Sequence, residues 1–413
     1  MVTHGTETRG PAGAEAGRAT RILEAVRARR GEWVSYLTCL ADLESPTTEP
    51  AAQRPIQDLL SRSLRELDFK VRRIVGASSG GMIVAVATRR PRTCFQLLVG
   101  HTDTVWPRGT VETMPVKVEA SILRGPGVFD MKAGLASVVT ALAVLRDLGL
   151  EPAVAPVVLF NSDEETGSRD STRHIRRIGS RASRVFVLEP ALGLEGKIKT
   201  ARKGAGEFSI RILGRSAHAG MEPERGASAI QELAFLVQSL HEMTDPAHGI
   251  VVNVGEIQGG SRPNVVAAEA RAEVDFRVDS VEEGLRVAER IRSLEPRVPG
   301  CRLEIRGGVA KPPLERTPGN RRLWREARRV ALAMGLHLEE GRSGGASDGN
   351  TTSLRTPTLD GLGAVGDGAH AFHEYVDIDR SLDRCALLAG LLLLAPMHGA
   401  DPVDDLGGPG RDV

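Results

Sequence analysis

Residues 155–168 read A-P-V-V-L-F-N-S-D-E-E-T-G-S. The apolar run 155–160 has the length of a buried strand, and it breaks into a polar turn that carries two adjacent carboxylates, Glu164 and Glu165. The same layout recurs along the chain. The stretch 93–99, T-C-F-Q-L-L-V, runs into G-H-T-D with His101 and Asp103, and 184–188, R-V-F-V-L, runs into Glu189 and Pro190. Residues 362–368 precede A-H-A-F-H-E-Y-V with His370. A further strand pattern lies at 81–88, and 131–148 has the apolar period of a helix. Strands and helices in alternation predict an α/β layered sheet. In open sheets of that class ligands bind beyond the carboxyl ends of the strands, so the four motifs are expected to converge on one crevice.

A chain of 413 residues exceeds one ordinary core, which predicts two domains. The middle section has its own texture. Strand patterns at 207–213, 250–257, 267–278 and 302–306 and helical patterns at 227–243 and 281–294 follow the order β-α-β-β-α-β of a ferredoxin-like layer. The expected division is a catalytic part of 20–197 and 314–396, an inserted α+β domain of 198–313, and tails at 1–19 and 397–413 whose composition is that of disordered chain. Residues 386–396 are strongly apolar but too short to span a bilayer, which needs about 20 residues, and read as a buried C-terminal helix.

Composition excludes several classes of partner. Lys+Arg number 54 against Asp+Glu 53, so no net field favours nucleic acid or an anionic membrane. Aromatic residues at 3% also leave little for base stacking. Cys39, Cys94, Cys301 and Cys385 are far apart and form no C-x-x-C pair, which points to a reducing compartment. No secretory signal pattern opens the chain, and a cytoplasmic location is the expectation. Neither a G-x-x-x-x-G-K-[ST] loop nor an H-E-x-x-H helix is present.

Two histidines and several carboxylates, with no cysteine in any motif, are the ligand chemistry of borderline metals such as zinc. In H-T-D, alternation along an extended segment puts Asp103 on the same side as His101, where a carboxylate can orient a ligating imidazole. Asp130, in G-P-G-V-F-D-M-K, stands at a helix start, where it is either an N-cap or a ligand kept ionised by the helix dipole. Glu164 and Glu165 repel one another, and a cation would relieve them; one can ligate while its neighbour acts as general base. Glu189 and His370 taken singly read as a strand end and a turn residue. His218, in R-S-A-H-A-G, is flanked by small residues that permit close approach to a ligand.

In order and spacing these motifs resemble the co-catalytic di-zinc metallopeptidases typified by glutamate carboxypeptidase, aminoacylase, acetylornithine deacetylase and succinyl-diaminopimelate desuccinylase. R-S-A-H-A-G-M-E-P-E-R-G-A-S-A-I and H-E-Y-V-D-I are most similar to the glutamate carboxypeptidase branch. The resemblance implies two Zn2+ ions, with Co2+ or Mn2+ as substitutes, and an inserted domain that serves as lid and dimer contact of a homodimer. It implies Asp130 as the bridging ligand, His101 and Glu189 on one metal, Glu165 and His370 on the other, Asp103 behind His101, and Glu164 as general base. His218 would steady the oxyanion from across the dimer. Asn264, Arg277 and Lys311 would face the substrate, Lys311 standing where close relatives usually show Arg, with Asp348 structural. The implied reaction is hydrolysis of the amide of a small N-acyl amino acid or dipeptide with a free carboxylate. An N-acyl-amino-acid deacylase and a metal-binding scaffold without catalysis are the alternatives.

Overall fold

The computed structural model describes residues 11–88 and 94–397, and these divide into two compact units. The first is drawn from Met1–Ile198, Pro318–Glu340 and Arg355–Val413, the second from Lys199–Thr317 and Gly341–Leu354. The fold class is mixed α/β, with a layered mixed sheet in the first unit and an α+β layer in the second.

The first unit is built on a six-stranded sheet in the order 69–74, 82–87, 155–161, 95–101, 184–187, 358–359. Strands Ala155–Asn161, Phe95–His101, Arg184–Val187 and Thr358–Leu359 run parallel, and the two strands at the other edge are antiparallel. Alternation along each central strand feeds two cores. Leu98, Val158, Phe160 and Phe186 point into one cluster, while Leu97, Val99, Val157, Leu159, Val185 and Val187 point into the other, with Ile175. Burial on both faces explains why these strands are continuous apolar runs.

Helices Ala133–Asp147 and Ile378–Leu392 pack into the larger core, and 11 of the 15 residues of the first are buried. The window Val128–Asp147 is long and apolar enough to cross a membrane by composition, yet 78% of it is buried inside the protein. The C-terminal helix ends at Leu392, and the buried Arg184 guanidinium closes it by donating to the carbonyls of Leu394 and Ala395.

The second unit has a four-stranded antiparallel sheet in the order 251–259, 269–278, 204–213, 302–311. Phe208, Ile210 and Ile212 face helices Ala229–His241 and Val281–Arg292 through Leu233, Leu236, Leu240, Val287 and Ile291. The opposite face carries exposed Glu207 and Ser209, and Arg211 in ion pairs with Glu269 and Glu304.

Three expectations are corrected. Helix Pro11–Ala28 begins inside the stretch 1–19 taken as a tail: Pro sits at its first position, Ala is abundant, and Ala19 is already buried against the core. Residues 1–10 and 398–413 lie outside the described residues. The Gly-rich segment 341–354, assigned with the catalytic part, packs instead in the second unit, where the Asn350 amide donates to the carbonyls of Lys203 and Pro312. His370 does not follow a strand of the large sheet. It sits on the turn between Gly366–Asp367 and Tyr375–Asp377, which pair antiparallel in a separate small sheet. Leu362 N and Gly363 N donate to the carbonyls of Val187 and Glu189, so 362–363 run beside the exit of strand Arg184–Val187 before the chain enters the small sheet at Gly366.

Candidate metal centre

Strand register brings the first motifs together. In the parallel pair of 95–101 with 155–161, His101 lies opposite Asn161, and Val99 lies opposite Val187 of the next strand. The three strands therefore end level, and Glu164, Glu165 and Glu189 emerge at one edge beside His101. Gly100 lets the strand approach its neighbours: a Cβ there would meet Met131 Cε at 2.8 Å and Leu135 Cδ2 at 2.9 Å.

His101 is buried at 2% exposure. Its Nδ1 lies 2.9 Å from the Asp103 carbonyl and 3.4 Å from Asp103 Oδ1. That contact places a proton on Nδ1 and turns Nε2 towards Asp130 Oδ1 at 3.3 Å and Glu189 Oε1 at 3.6 Å. The Asp103 carboxylate also accepts hydrogen bonds from Thr47 Oγ1 at 2.8 Å, Glu164 N at 3.3 Å and Glu165 N at 3.1 Å. One buried carboxylate thus orients the imidazole and caps the turn Glu164–Thr166.

Asp130 faces both histidines, with Oδ1 towards His101 and Oδ2 3.5 Å from His370 Nε2. His370 Nε2 lies 3.1 Å from Glu165 Oε2. One atom from each of His101, Asp130 and Glu165, and likewise from each of His101, Glu164 and Glu189, falls within 4.8 Å of the others. Glu164 therefore stands within ligand range of His101 and Glu189 as well. His370 adopts φ 63°, in the left-handed region. An L-residue there costs about 1–2 kcal/mol that glycine avoids, so a histidine at this place points to use rather than to turn geometry.

The electrostatics follow from crowding. Burial disfavours a charge on His101, and the carboxylates of Asp103, Asp130 and Glu189 outweigh it, so the ring titrates well above an ordinary histidine. Asp130 and Glu165 raise His370 to about 10. Burial opposes the charge of Asp130, but the two histidines hold its carboxyl below the usual range. Glu165 goes the other way: burial, and then the Asp130 charge, push it up.

Two oxygens test whether this site fits a cation. Asp130 Oδ1 and Glu165 Oε1 are buried and receive no hydrogen bond among the described residues. A buried acceptor left unmade costs about 1–3 kcal/mol, and a cation removes that cost at both atoms. Imidazole and carboxylate without thiolate fit zinc, cobalt or manganese.

The remaining sequence candidates lie in the second unit. His218 is exposed and its Nδ1 accepts from Gly220 N and Met221 N, both at 3.2 Å, which leaves Nε2 as the donor. Ala219 N donates to Asn264 O, so the exposed segments bearing His218 and Asn264 run side by side. The Arg277 fork is already paired, with Nε and one terminal nitrogen each 2.9 Å from the Asp275 carboxylate. Lys311 is buried with Nζ 3.6 Å from Asp348 Oδ1. Residues 345–349, G-A-S-D-G, spell the G-x-S-x-G string of a serine nucleophile. Ser347 has extended backbone at φ −154°, is fully buried, and accepts from Gly349 N in a capping box, so it is a helix cap and no nucleophile elbow.

Sequence reasoning missed Glu374. It lies in the quoted H-E-Y-V, yet a glutamate beside a strand start carries no local signal. It is 0% exposed, and its carboxylate accepts from four N–H groups. Lys132 was missed for the same reason. It is buried, donates to the carbonyls of Ala41 and Leu43, and burial lowers it to about 8.

Residues 97–394 match the sequence profile described as Peptidase family M20/M25/M40. Carboxypeptidase G2 of Pseudomonas sp. (strain RS-16) is 28% identical over 371 residues, 87% of this chain and 88% of that protein. A succinyl-diaminopimelate desuccinylase of Caulobacter sp. (strain K31) is 26% identical over 263 residues, 59% of this chain and 65% of that one. Among solved structures, aminopeptidase PepT from Bacillus cereus superposes with a TM-score of 0.71 at 20% identity, covering 88% of this chain and 98% of that one. The YXEP protein of Bacillus subtilis, described as a dinuclear metal binding peptidase, gives 0.67 at 15% identity over 89% and 98%.

Proposed function

The chain belongs to peptidase family M20/M25/M40, and on that premise we propose that it cleaves the amide bond of a small N-acyl amino acid or dipeptide bearing a free carboxylate, in the manner of a glutamate carboxypeptidase. At the coarser level it is a metal-dependent hydrolase acting on peptides or acyl amino acids. The two-metal part of that reading rests on one observation: Asp130 presents its two oxygens to His101 and His370 at 3.3 and 3.5 Å, as a carboxylate shared by two cations would.

In this reading His101 and Glu189 would hold one ion, His370 and Glu165 the other, and Asp130 would be shared. Two Zn2+ would fit this donor set, with Co2+ or Mn2+ as substitutes. When bound, such ions would supply Lewis acidity towards the scissile carbonyl and the attacking water. Glu164 accepts the proton of the attacking water and returns it to the leaving amine. Asp103 holds His101 and the Glu164 turn in register. His218 acts across a homodimer, its Nε2–H donating to the oxyanion of a partner chain's substrate, which its Nδ1 contacts favour. Asn264, Arg277 and Lys311 anchor the substrate's carboxylate end, the Arg277 fork exchanging the Asp275 carboxylate, and Lys311 that of Asp348, for the substrate's. A lysine keeps the charge there and loses the bidentate fork. Four free cysteines fit a cytoplasmic setting.

The second reading is an N-acyl-amino-acid deacylase, favoured by the desuccinylase relative. A hydrolysis screen separates the two. N-acyl-glutamates and folate analogues turned over faster than acetylated amino acids support the first, and the reverse order supports the second. A chain carrying two divalent ions that cleaves neither set overturns the enzymatic assignment in both forms.

A further inference from the structure

Glu374 is separated from the loop bearing Asp130 by more than 240 residues of chain, yet its carboxylate is wrapped by that loop. Oε1 accepts from Phe129 N at 2.9 Å and Asp130 N at 3.0 Å. Oε2 accepts from Gly127 N at 2.8 Å and from Trp106 Nε1 at 2.9 Å. No part of Glu374 reaches solvent. Burial pushes the Glu374 carboxyl up, and the four N–H donors act against that shift by favouring the charged form.

The four bonds join three segments. Trp106 follows His101 and Asp103 on the same strand exit. Gly127, Phe129 and Asp130 form the loop that enters helix Ala133–Asp147. Glu374 itself closes the turn of His370, where Ala371 N donates to Gly368 O and Glu374 N to Ala371 O. The turn is too tight for a side chain at its start: a Cβ on Gly368, at φ 83°, would lie 2.9 Å from Glu374 N and Cα. The clamp and the histidine are therefore four residues apart on a fixed piece of backbone.

We propose that Glu374 is a positioning residue that sets the spacing between Asp130 and the two histidines, and thereby the affinity of the centre for its second ion. The argument rests on the di-metal reading given above. Without the clamp, the Asp130 carboxylate would be carried by a loop whose amides have lost their acceptor. It would no longer meet His101 and His370 at matched distances. Glu374 touches neither substrate nor ion, and its effect passes through the backbone of residues 127–130.

Glu374→Gln keeps the shape and turns an amide NH2 towards two of the four donors. Three readouts apply. Amide exchange of segment 125–132 in the metal-free protein should accelerate. Affinity for the weaker of two Zn2+ ions, by competition with a chelator at a temperature where circular dichroism shows a folded chain, should fall about 10–100-fold, as removal of an outer partner does. Turnover should fall with it at near-constant KM. Trp106→Phe removes one of the four bonds and should lose less. If the Gln chain does not fold, Glu374→Asp, which keeps the charge and falls short by one methylene, takes its place. Wild-type exchange and wild-type affinity in a folded Glu374 variant overturn the proposal. A wild-type chain that binds no divalent ion sinks the di-metal reading instead, and the exchange comparison still decides whether Glu374 pins the loop.

Discussion

His370 Nε2 stands 3.1 Å from Glu165 Oε2, so a half-exposed imidazole is paired with a carboxylate that is almost wholly buried. Without a cation the ring takes up a proton to neutralise Asp130 and Glu165, and it titrates at about 10. Its folded pKa thus lies above the unfolded value of about 6.5. The stability it contributes is complete below that unfolded value and is lost as pH rises through about 10. The metal-free protein should therefore melt higher than His370→Ala at pH 6.5–7, with the difference shrinking towards pH 10. A difference that grows with pH would contradict the pairing.

Metal uptake must displace those protons. His101 is likewise pushed above an ordinary histidine by the carboxylates around it, so protons compete with an ion for both rings. Ligation needs them neutral. Calorimetry in buffers of different ionisation enthalpy should show proton release on Zn2+ binding. Apparent affinity should rise about tenfold per pH unit for each proton displaced. Binding with no buffer dependence would show that neither histidine is a ligand.

Glu164 separates holding an ion from using it. Glu164→Gln keeps the bulk of the side chain and leaves its main-chain N–H on Asp103. Elemental analysis should still find two ions per chain, while turnover falls by about 10²–10⁴-fold. Loss of an ion together with activity would move Glu164 into the ligand set, where its distance from His101 and Glu189 also permits it to stand.

Asp103 should be costly in a different way. It is fully buried and serves His101, Thr47 and the amides of Glu164 and Glu165 at once. Asp103→Ala leaves the amides of Glu164 and Glu165 without their acceptor and holds His101 Nδ1 by the main-chain carbonyl of residue 103 alone, so zinc affinity is expected to fall about 10–100-fold and the melting temperature to drop. Chelator titration beside thermal unfolding checks both. A variant with unaltered affinity would remove Asp103 from the support of the site.

The sequence was most legible where local pattern and register coincide. His101, Glu165 and Glu189 follow apolar runs, and the parallel register of 95–101, 155–161 and 184–187 turns those ends into one edge. The β-α-β-β-α-β order of the second unit was equally readable, since each element has its own period. His370 was readable as a residue but not as a place, because its turn belongs to a small antiparallel sheet whose strands are two and three residues long. Glu374 and Lys132 were silent. A buried charge is recognised by its partners, and theirs are backbone groups contributed from distant segments.

The last prediction concerns two glycines in helices, where alanine is ordinarily better by about 1 kcal/mol. Gly31, in helix Arg30–Asp42, has nothing within 4 Å of a built Cβ, and Gly31→Ala should raise stability by up to that amount. Gly134 opens helix Ala133–Asp147 against the strand that leads to Glu189, and a Cβ there would lie 2.2 Å from the Leu188 carbonyl oxygen. That atom is backbone and cannot rotate away, so either the helix or the strand end must move. Gly134→Ala should therefore destabilise by about 1–3 kcal/mol, as overpacking does. Because Leu188 precedes Glu189, zinc affinity should weaken with it, which Gly31→Ala leaves unchanged. Thermal melts and chelator titrations of the two variants side by side check this. A Gly134→Ala chain as stable as wild type would mean that the helix does not lie this close to the strand end.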